Sequence, residues 1–146
     1  DGANVEILEE VGEKNIFIFG LRASEVIDLY KKNDYNPWDI YNKNVDVRNI
    51  MNQLVNGELD ENHELFREIY ESLLNGWNGQ RADEYFILKD FESYAAAHKK
   101  IDSAYKDRNA WAKSAIINVA NSGKFSSDRT INEYAKEIWD LKPIVG

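Results

Sequence analysis

The fold class depends on one short stretch of the chain, Ile16-Phe-Ile-Phe-Gly20. Consecutive β-prone apolar residues bounded by glycines predict a buried strand of the kind found inside a parallel sheet. A similar run, Tyr85-Phe-Ile-Leu88, precedes Asp90, which is a suitable cap for a helix beginning at Phe91. The sequence therefore predicts two short strands that are separated by a long stretch of chain.

Amphipathic helices are predicted for most of the remaining chain, because apolar residues recur there at spacings of three and four. The chain opens with a short amphipathic turn or helix that stops at Gly12. The helices predicted after it are one capped by Ser24 and broken at Asn33–Pro37, one beginning near Trp38 or Val45 and ending at Asn56-Gly57, one over residues 65–74, one from Phe91, one from Asp107–Asn109 to Gly123, and a last one with Thr130 and Glu133 in capping-box register. About six helices and two short strands predict an α/β fold. Two strands cannot cover their own edges, so the sheet is predicted to be incomplete and the domain partial.

Composition excludes several functional classes. The 146 residues suit one domain, and no apolar run approaches the ~20 residues needed to cross a bilayer. A net charge of −8 repels nucleic acid and anionic membrane surfaces. The chain has no cysteine and no signal-peptide pattern, which favours the cytoplasm. It begins at Asp1 without an initiator Met, which indicates processing or excision from a longer chain.

No familiar catalytic motif is present, and only two histidines, His63 and His98, are available for acid–base or metal chemistry. His63-Glu64 resembles the start of a zinc-protease helix, but Arg67 occupies the place of the second histidine. Polar residues flank both histidines. We therefore interpret them as solvated residues on helix surfaces.

The acidic cluster Glu6, Glu9 and Glu10 has no apolar neighbour placed to raise one pKa selectively, as paired acid–base catalysis requires. We interpret it as a solvated helix face near a helix start. Four tryptophans could form a carbohydrate-stacking platform. Trp111 and Trp139 fall on apolar helix faces and are predicted in the core, whereas Trp77 lies in a flexible loop and is most open to a contact role.

Lys124, Arg129 and the backbone N–H groups of Ser126 and Ser127 could form an anion site at a helix start. The alternative is that Ser126, Ser127 or Asp128 caps the helix and the two cations pair with nearby acids. The alternative is favoured.

Near its C-terminal end the chain contains Ser122-Gly-Lys-Phe-Ser-Ser-Asp-Arg-Thr-Ile131, followed by Glu133-Tyr-Ala135 and Glu137-Ile-Trp139. This stretch resembles the closing signature of the α-glucan phosphorylases. The start agrees, because Asp1-Gly-Ala-Asn-Val-Glu6 and Asn15-Ile-Phe-Ile-Phe-Gly20 are similar to the segment that follows the family's cofactor lysine. The resemblance covers the whole chain, most densely over 1–20 and 85–143.

The resemblance implies a two-lobed, GT-B type glycosyltransferase, a homodimer in which pyridoxal phosphate supplies its phosphate group to the phosphorolysis of an α-1,4-glucan. Residues 1–146 would be a single partial domain, the helix-rich end of the Rossmann-like C-terminal lobe. The family's Gly-Thr-Gly-Asn-Met-Lys motif is absent and would lie just before Asp1. No catalytic, cofactor-binding or metal-binding residue is therefore assigned to this chain, and no bound cofactor is expected.

The partners implied are the rest of the phosphorylase polypeptide, with glucan and phosphate as substrates of the parent enzyme and neither nucleic acid nor membrane. A stand-alone interaction or glucan-binding module with the same fold is the alternative. A third hypothesis is a complete small enzyme that uses His63 or His98.

Overall fold

The structure, a computed structural model, describes residues 2–142. Helices dominate this part of the chain, and the eight α-helices are α1 (Gly2–Val11), α2 (Ala23–Lys32), α3 (Pro37–Lys43), α4 (Val45–Gln53), α5 (Arg67–Leu74), α6 (Ile87–Lys106), α7 (Arg108–Asn121) and α8 (Ser127–Glu133). Two 3-10 helices, Glu13–Asn15 and Ser122–Phe125, and a π-helical segment, Tyr134–Ile138, complete the regular structure. None of the described helices is long and apolar enough to span a membrane.

Both predicted strands are wrong for the described residues, of which none is assigned to a β-strand. Residues 16–19 follow the first 3-10 helix without regular secondary structure, with Ile16 extended, and the side chains of Ile18 and Phe19 are 52% and 49% exposed. In the second run Phe86 has a left-handed φ of 57°, and Ile87 already begins α6. A short apolar run does not distinguish a strand from a helix by periodicity alone. The described residues are thus helix-rich, without the two strands of the predicted α/β fold.

The described chain divides into two compact units. The central unit comprises Phe19–Lys99, and the terminal unit comprises the residues up to Ile18 together with those from Lys100 onward. The first part of α6 belongs to the central unit and its last turns belong to the terminal unit.

The core of the central unit is formed by four buried side chains from three helices, Val47 and Met51 of α4, Leu74 of α5 and Leu88 of α6. Seven partly buried apolar residues pack against them, namely Trp38, Ile40, Tyr41, Leu54, Tyr70, Leu73 and Phe91. The apolar faces of these helices, which repeat every 3.6 residues, all contribute to the core. The prediction of helices in this region is therefore confirmed.

Asn44 explains why the sequence offered two possible starts for one helix. Its side-chain oxygen accepts hydrogen bonds from the backbone N–H groups of Asp46 and Val47, at 3.0 and 3.1 Å, and so caps α4. Its backbone N–H donates a hydrogen bond to the carbonyl oxygen of Ile40 and so ends α3. Two helices, one from Pro37 and one from Val45, therefore replace the single predicted helix.

The terminal unit is built on α1, α7 and the first 3-10 helix. Phe17 stacks on Trp111 of α7 with ring centroids 6.2 Å apart, and Tyr105 meets the same indole at 5.1 Å. The side-chain amide of Asn118 donates to the carbonyl oxygen of Asn15 at 2.9 Å. Apolar stacking and one amide bridge thus join residues far apart in sequence.

Several predicted caps are wrong, whereas others are confirmed. α2 begins one residue before Ser24, and Asp90 lies inside the first turn of α6 rather than ahead of it. α8 is capped by Ser126, whose hydroxyl accepts a first-turn backbone N–H at 3.3 Å, and not by Thr130. The predicted helix start around Asp107–Asn109 is confirmed, because α7 begins at Arg108 and the Asp107 carboxylate accepts a first-turn N–H at 3.0 Å.

Candidate functional site

The candidate anion site at the start of α8 is arranged as a capped, charge-paired helix start. Lys124 Nζ lies 2.5 Å from Glu10 Oε1, and Arg129 Nη1 lies 3.4 Å from Glu133 Oε1. Ser126 supplies the cap described above. The favoured interpretation of this segment, a capped helix start with paired cations, is confirmed.

This pairing lowers the attraction of the segment for an anion. The hydrogen bond to the Glu10 carboxylate raises the pKa of Lys124 above its usual range, so the ammonium group stays charged but already faces a negative group. Both partners are about one-third exposed, and exposed ion pairs contribute little to stability. The pair orients the loop before α8 relative to α1 within the terminal unit.

Both histidines are exposed, and they lie in different local settings. His98 is on α6, where its ring meets Tyr94 edge-on at a centroid distance of 4.5 Å. The solvated-helix interpretation is confirmed for His98. His63 lies on a turn instead of a helix, and its Nδ1 is 3.1 Å from the carbonyl oxygen of Val55.

The acidic residues of α1 form a solvated helix face, as predicted, but their predicted place near the helix start is wrong, because the first turn contains no acid. Glu6, Glu9 and Glu10 are all exposed, and Glu10 is the partner of Lys124. Burial does not distinguish one of these carboxyl groups from the others. The cluster therefore lacks the difference in environment that acid–base catalysis by paired carboxylates needs.

The tryptophans divide into packed and exposed residues. Trp111 is half-buried in its aromatic stack, which agrees with the prediction of a core position. The corresponding prediction for Trp139 is wrong for the described residues, because its side chain is 53% exposed and meets Tyr134 at 6.0 Å. Trp38 donates its indole N–H to the side-chain oxygen of Asn75 at 3.0 Å. Trp77 is 38% exposed on its loop, beside a small cavity of about 130 Å³.

The strongest polar cluster of the central unit is centred on Asp83, which the sequence analysis did not identify. This carboxylate is 2% exposed and receives hydrogen bonds from the Tyr35 hydroxyl at 2.5 Å and from the backbone N–H groups of Ile87 and Leu88 at 2.7 and 2.9 Å. We call these groups the Asp83 junction. An aspartate placed four residues before an apolar helical run was the available signal, since such a carboxylate can accept orphan N–H groups at a helix start.

The Asp83 junction joins distant segments and holds unusual backbone. Burial raises the pKa of the Tyr35 hydroxyl far above its usual range, and the hydrogen bond to Asp83 raises it further, so Tyr35 remains a neutral donor. Asp83 and Phe86 have φ values of 46° and 57°. Aspartate tolerates the left-handed region better than most residues, whereas a bulky side chain such as Phe86 is rare there. The junction therefore acts as a structural clasp at the start of α6.

A second polar contact holds the segment around Gly20 against α6. The backbone N–H of Gly20 donates to the Ser93 hydroxyl, and that of Leu21 donates to Asp90 Oδ1, both at 2.9 Å. Gly20 has a φ of 87°, and a Cβ at this position would lie 2.5 Å from Asp90 Oδ2. Burial raises the pKa of Asp90, while the hydrogen bond from Leu21 opposes that rise. Glycine is thus required here by both conformation and space.

The central unit also contains an open cavity of about 470 Å³ between α2, α3 and α6, lined by Leu29, Asp34, Tyr35, Asn36, Asp39, Ile40, Lys43, Asn44, Leu88, Lys89 and Glu92. Three carboxylates and two ammonium groups face it. A phosphate-bearing cofactor would meet more negative than positive charge, so this lining does not fit one. Across residues 2–142, no three His, Asp or Glu side chains come together as a metal ion would need.

Comparison with known proteins gives a consistent result. The family model described as carbohydrate phosphorylase matches residues 1–141. The glycogen phosphorylase of Bacillus subtilis is 45% identical over 145 residues, which cover 99% of this chain and 18% of that protein. The glycogen phosphorylase of Synechocystis is 44% identical over 146 residues, and the human muscle form is 39% identical over 144, with 16% of each protein covered.

The chain therefore spans about one-sixth of the length of the curated relatives that it matches. The matched residues 1–141 span both compact units. Because the family match covers nearly the whole chain, this chain belongs to the carbohydrate phosphorylase family.

Proposed function

We propose that residues 1–146 form a structural part of the C-terminal lobe of a glycogen or α-1,4-glucan phosphorylase. The observation that carries the proposal is the family match over residues 1–141 combined with coverage of only 16–18% of the glycogen phosphorylases compared. The parent enzyme would use inorganic phosphate to release glucose 1-phosphate from glucan non-reducing ends. It would be cytoplasmic and homodimeric.

The chemistry of the reaction would belong to residues outside this chain. When bound, pyridoxal phosphate supplies a phosphate group for proton transfer, and its lysine would lie upstream of Asp1. The negative balance of charge around the larger cavity supports a cofactor site elsewhere in the parent. We assign no catalytic, cofactor-binding or metal-binding residue to residues 1–146, whose role would be to hold the lobe together.

The Rossmann-like architecture of the lobe is part of the same proposal. Residues 16–19 are apolar and belong to no helix, Ile16 is extended, and the side chains of Ile18 and Phe19 are about half exposed. An extended apolar segment whose backbone groups are not paired in a sheet is suited to adding a strand to a neighbouring sheet. In the parent, these residues would complete the sheet that the isolated segment lacks, and residues 1–146 would then form one partial domain of the lobe.

The test compares residues 1–146 with the full chain encoded by the same gene. We expect the reading frame upstream of Asp1 to continue into the lysine motif. The full chain should release glucose 1-phosphate from glycogen and phosphate, whereas purified 1–146 should show neither this activity nor a pyridoxal absorbance band after dialysis. A start codon immediately before Asp1, or phosphorolysis by 1–146 alone, would overturn the proposal.

The second candidate is a stand-alone glucan-binding module, which one observation favours. Tyr85 is 81% exposed and Trp77 is 38% exposed, and both line the cavity of about 130 Å³ together with Arg81. Exposed aromatic faces beside polar side chains suit contacts with sugars. Retardation of 1–146 in a native gel containing glycogen, lost in a Trp77→Ala variant, would support this candidate. Unchanged mobility would leave the structural role as the better account.

A further inference from the structure

Helix α7 has two different sides. Trp111, Ser114 and Asn118 are half-buried along the side that packs within the terminal unit. On the opposite side, Ile116 and Val119 are 66% and 73% exposed. The exposed alanines Ala112 and Ala120 flank them. We call these four residues the α7 outer face.

The C-terminal half of α7 lacks the charged residues that are usual on a surface helix. Its 14 residues contain two cations, Arg108 and Lys113, and no acid, and no charged residue follows Lys113 before the helix ends at Asn121. A helix at a protein surface normally carries polar residues opposite its buried stripe, whereas a helix without a polar face is packed on more than one side. The α7 outer face therefore has the pattern of a second buried side.

We propose that the α7 outer face is an internal interface covered by polypeptide of the same phosphorylase chain outside residues 1–146. The length of the relatives supports this occupant, because about five-sixths of each lies outside the matched region. The inference rests on the proposed function. It goes further by locating one contact of this segment with the remainder of the parent.

The side chains of this face also indicate how closely the partner packs. The small side chains of Ala112 and Ala120 leave shallow depressions on either side of the larger Ile116 and Val119. Small residues allow the backbone of a neighbouring element to approach closely, and the larger residues then fit its grooves. The partner is thus an apolar helix face or sheet face of the parent, and not a solvated loop.

Cysteine labelling tests this inference directly, because residues 1–146 contain no cysteine. Val119→Cys is nearly the same size as the natural residue, and Val45→Cys is the matched control at an exposed valine, 56% exposed, that starts α4 beside polar residues. Each variant is made in the full chain and in 1–146. The rate of alkylation by iodoacetamide at the new cysteine is then followed by mass spectrometry of the peptide that contains it.

In the native full chain we expect Val119→Cys to react at least about tenfold more slowly than Val45→Cys, because a packed site is alkylated only when it opens. The two variants should react at similar rates in isolated 1–146 and in urea. Equal rates in a full chain that retains phosphorolysis would overturn the inference and leave the proposed function standing. Protection in 1–146 that grows with its concentration would assign the face to a second copy, and protection in monomeric 1–146 would show it covered from within. Either result would overturn the proposal.

Discussion

Replacement of Asp83 by asparagine should destabilise the central unit substantially. The two carboxylate oxygens receive three donors, with the Tyr35 hydroxyl and the Leu88 N–H on Oδ2 and the Ile87 N–H on Oδ1. Asparagine keeps only one acceptor oxygen and puts an NH₂ group against at least one of these donors. Because asparagine tolerates a φ of 46° as well as aspartate does, the substitution tests the hydrogen bonds and not the backbone.

The magnitude follows from the donors left without a partner. A buried donor that loses its acceptor costs about 1–3 kcal/mol, and loss of a charged acceptor weakens the bonds that remain. We expect Asp83→Asn to cost about 2 kcal/mol, which would lower the melting temperature by about 4–8 °C in a chain of this size. Tyr35→Phe should cost less, about 0.5–1.5 kcal/mol, since the carboxylate then keeps both backbone donors.

Urea unfolding of 1–146 at pH 7, followed by tryptophan fluorescence and far-UV circular dichroism, measures both variants and the double variant. Asp28→Asn, which neutralises an exposed carboxylate on α2, controls for charge alone and should shift the free energy of unfolding by no more than about 0.5 kcal/mol. The effects of Asp83→Asn and Tyr35→Phe on the free energy of unfolding should not be additive, because both substitutions affect the same hydrogen bond. An unchanged urea midpoint for Asp83→Asn with an unchanged m-value would refute the stabilising role of the Asp83 junction.

Two further predictions concern the contact between Gly20 and α6. Burial raises the pKa of Asp90 in the folded chain, so the folded state binds more protons than the unfolded state between the ordinary aspartate value and the raised one. Stability should therefore fall as the pH rises through that window, and Asp90→Asn, measured by urea midpoints between about pH 3.5 and 7, should remove this component without loss at neutral pH. Gly20→Ala combines an unfavourable φ with a Cβ clash and should cost about 1–3 kcal/mol in the same assay. Gly123→Ala, where no atom lies within 4 Å of the added Cβ, should stay within about 0.5 kcal/mol, and equal losses in the two glycine variants would contradict the role given to Gly20.

Local signals in the sequence predicted much of the helical structure. The stop of α1 before Gly12 and the start of α7 near Asp107 depend on residues within one helical turn of the boundary. Such signals act through short-range hydrogen bonds and backbone conformations, so they survive without knowledge of the fold. The pair of Arg129 and Glu133 is local in the same way, because the two residues are four positions apart on one helix, whereas Lys124 pairs with Glu10 across 114 positions.

The contact of Tyr35 with the Asp83 junction could not be predicted from local signals, unlike the bonds from the nearby Ile87 and Leu88 N–H groups. Tyr35 reaches Asp83 across 48 positions, and the backbone turn between Asp83 and Phe86 places two non-glycine residues in the left-handed region. Neither propensity nor periodicity anticipates a bulky residue with positive φ, since tertiary contacts must over-determine it. The same long-range contact turned the apolar run at 85–88 from a predicted strand into a helix start.

The remaining differences share one physical cause under the proposed function. Apolar patterns predicted burial for residues 16–19 and for Trp139, yet Phe19 and Trp139 are 49% and 53% exposed. Val119 lies in the amphipathic helix predicted from Asp107–Asn109 to Gly123, and it is 73% exposed. A sequence pattern records the contacts of the complete folded protein, whereas the structure of 146 residues contains only the contacts those residues make with one another. If residues 1–146 are one-sixth of a phosphorylase, positions that are apolar by pattern and exposed in the structure mark where the remaining five-sixths of the chain packs. Labelling at Val119 in the full chain therefore tests whether one such exposed apolar position is an interface inside the larger enzyme.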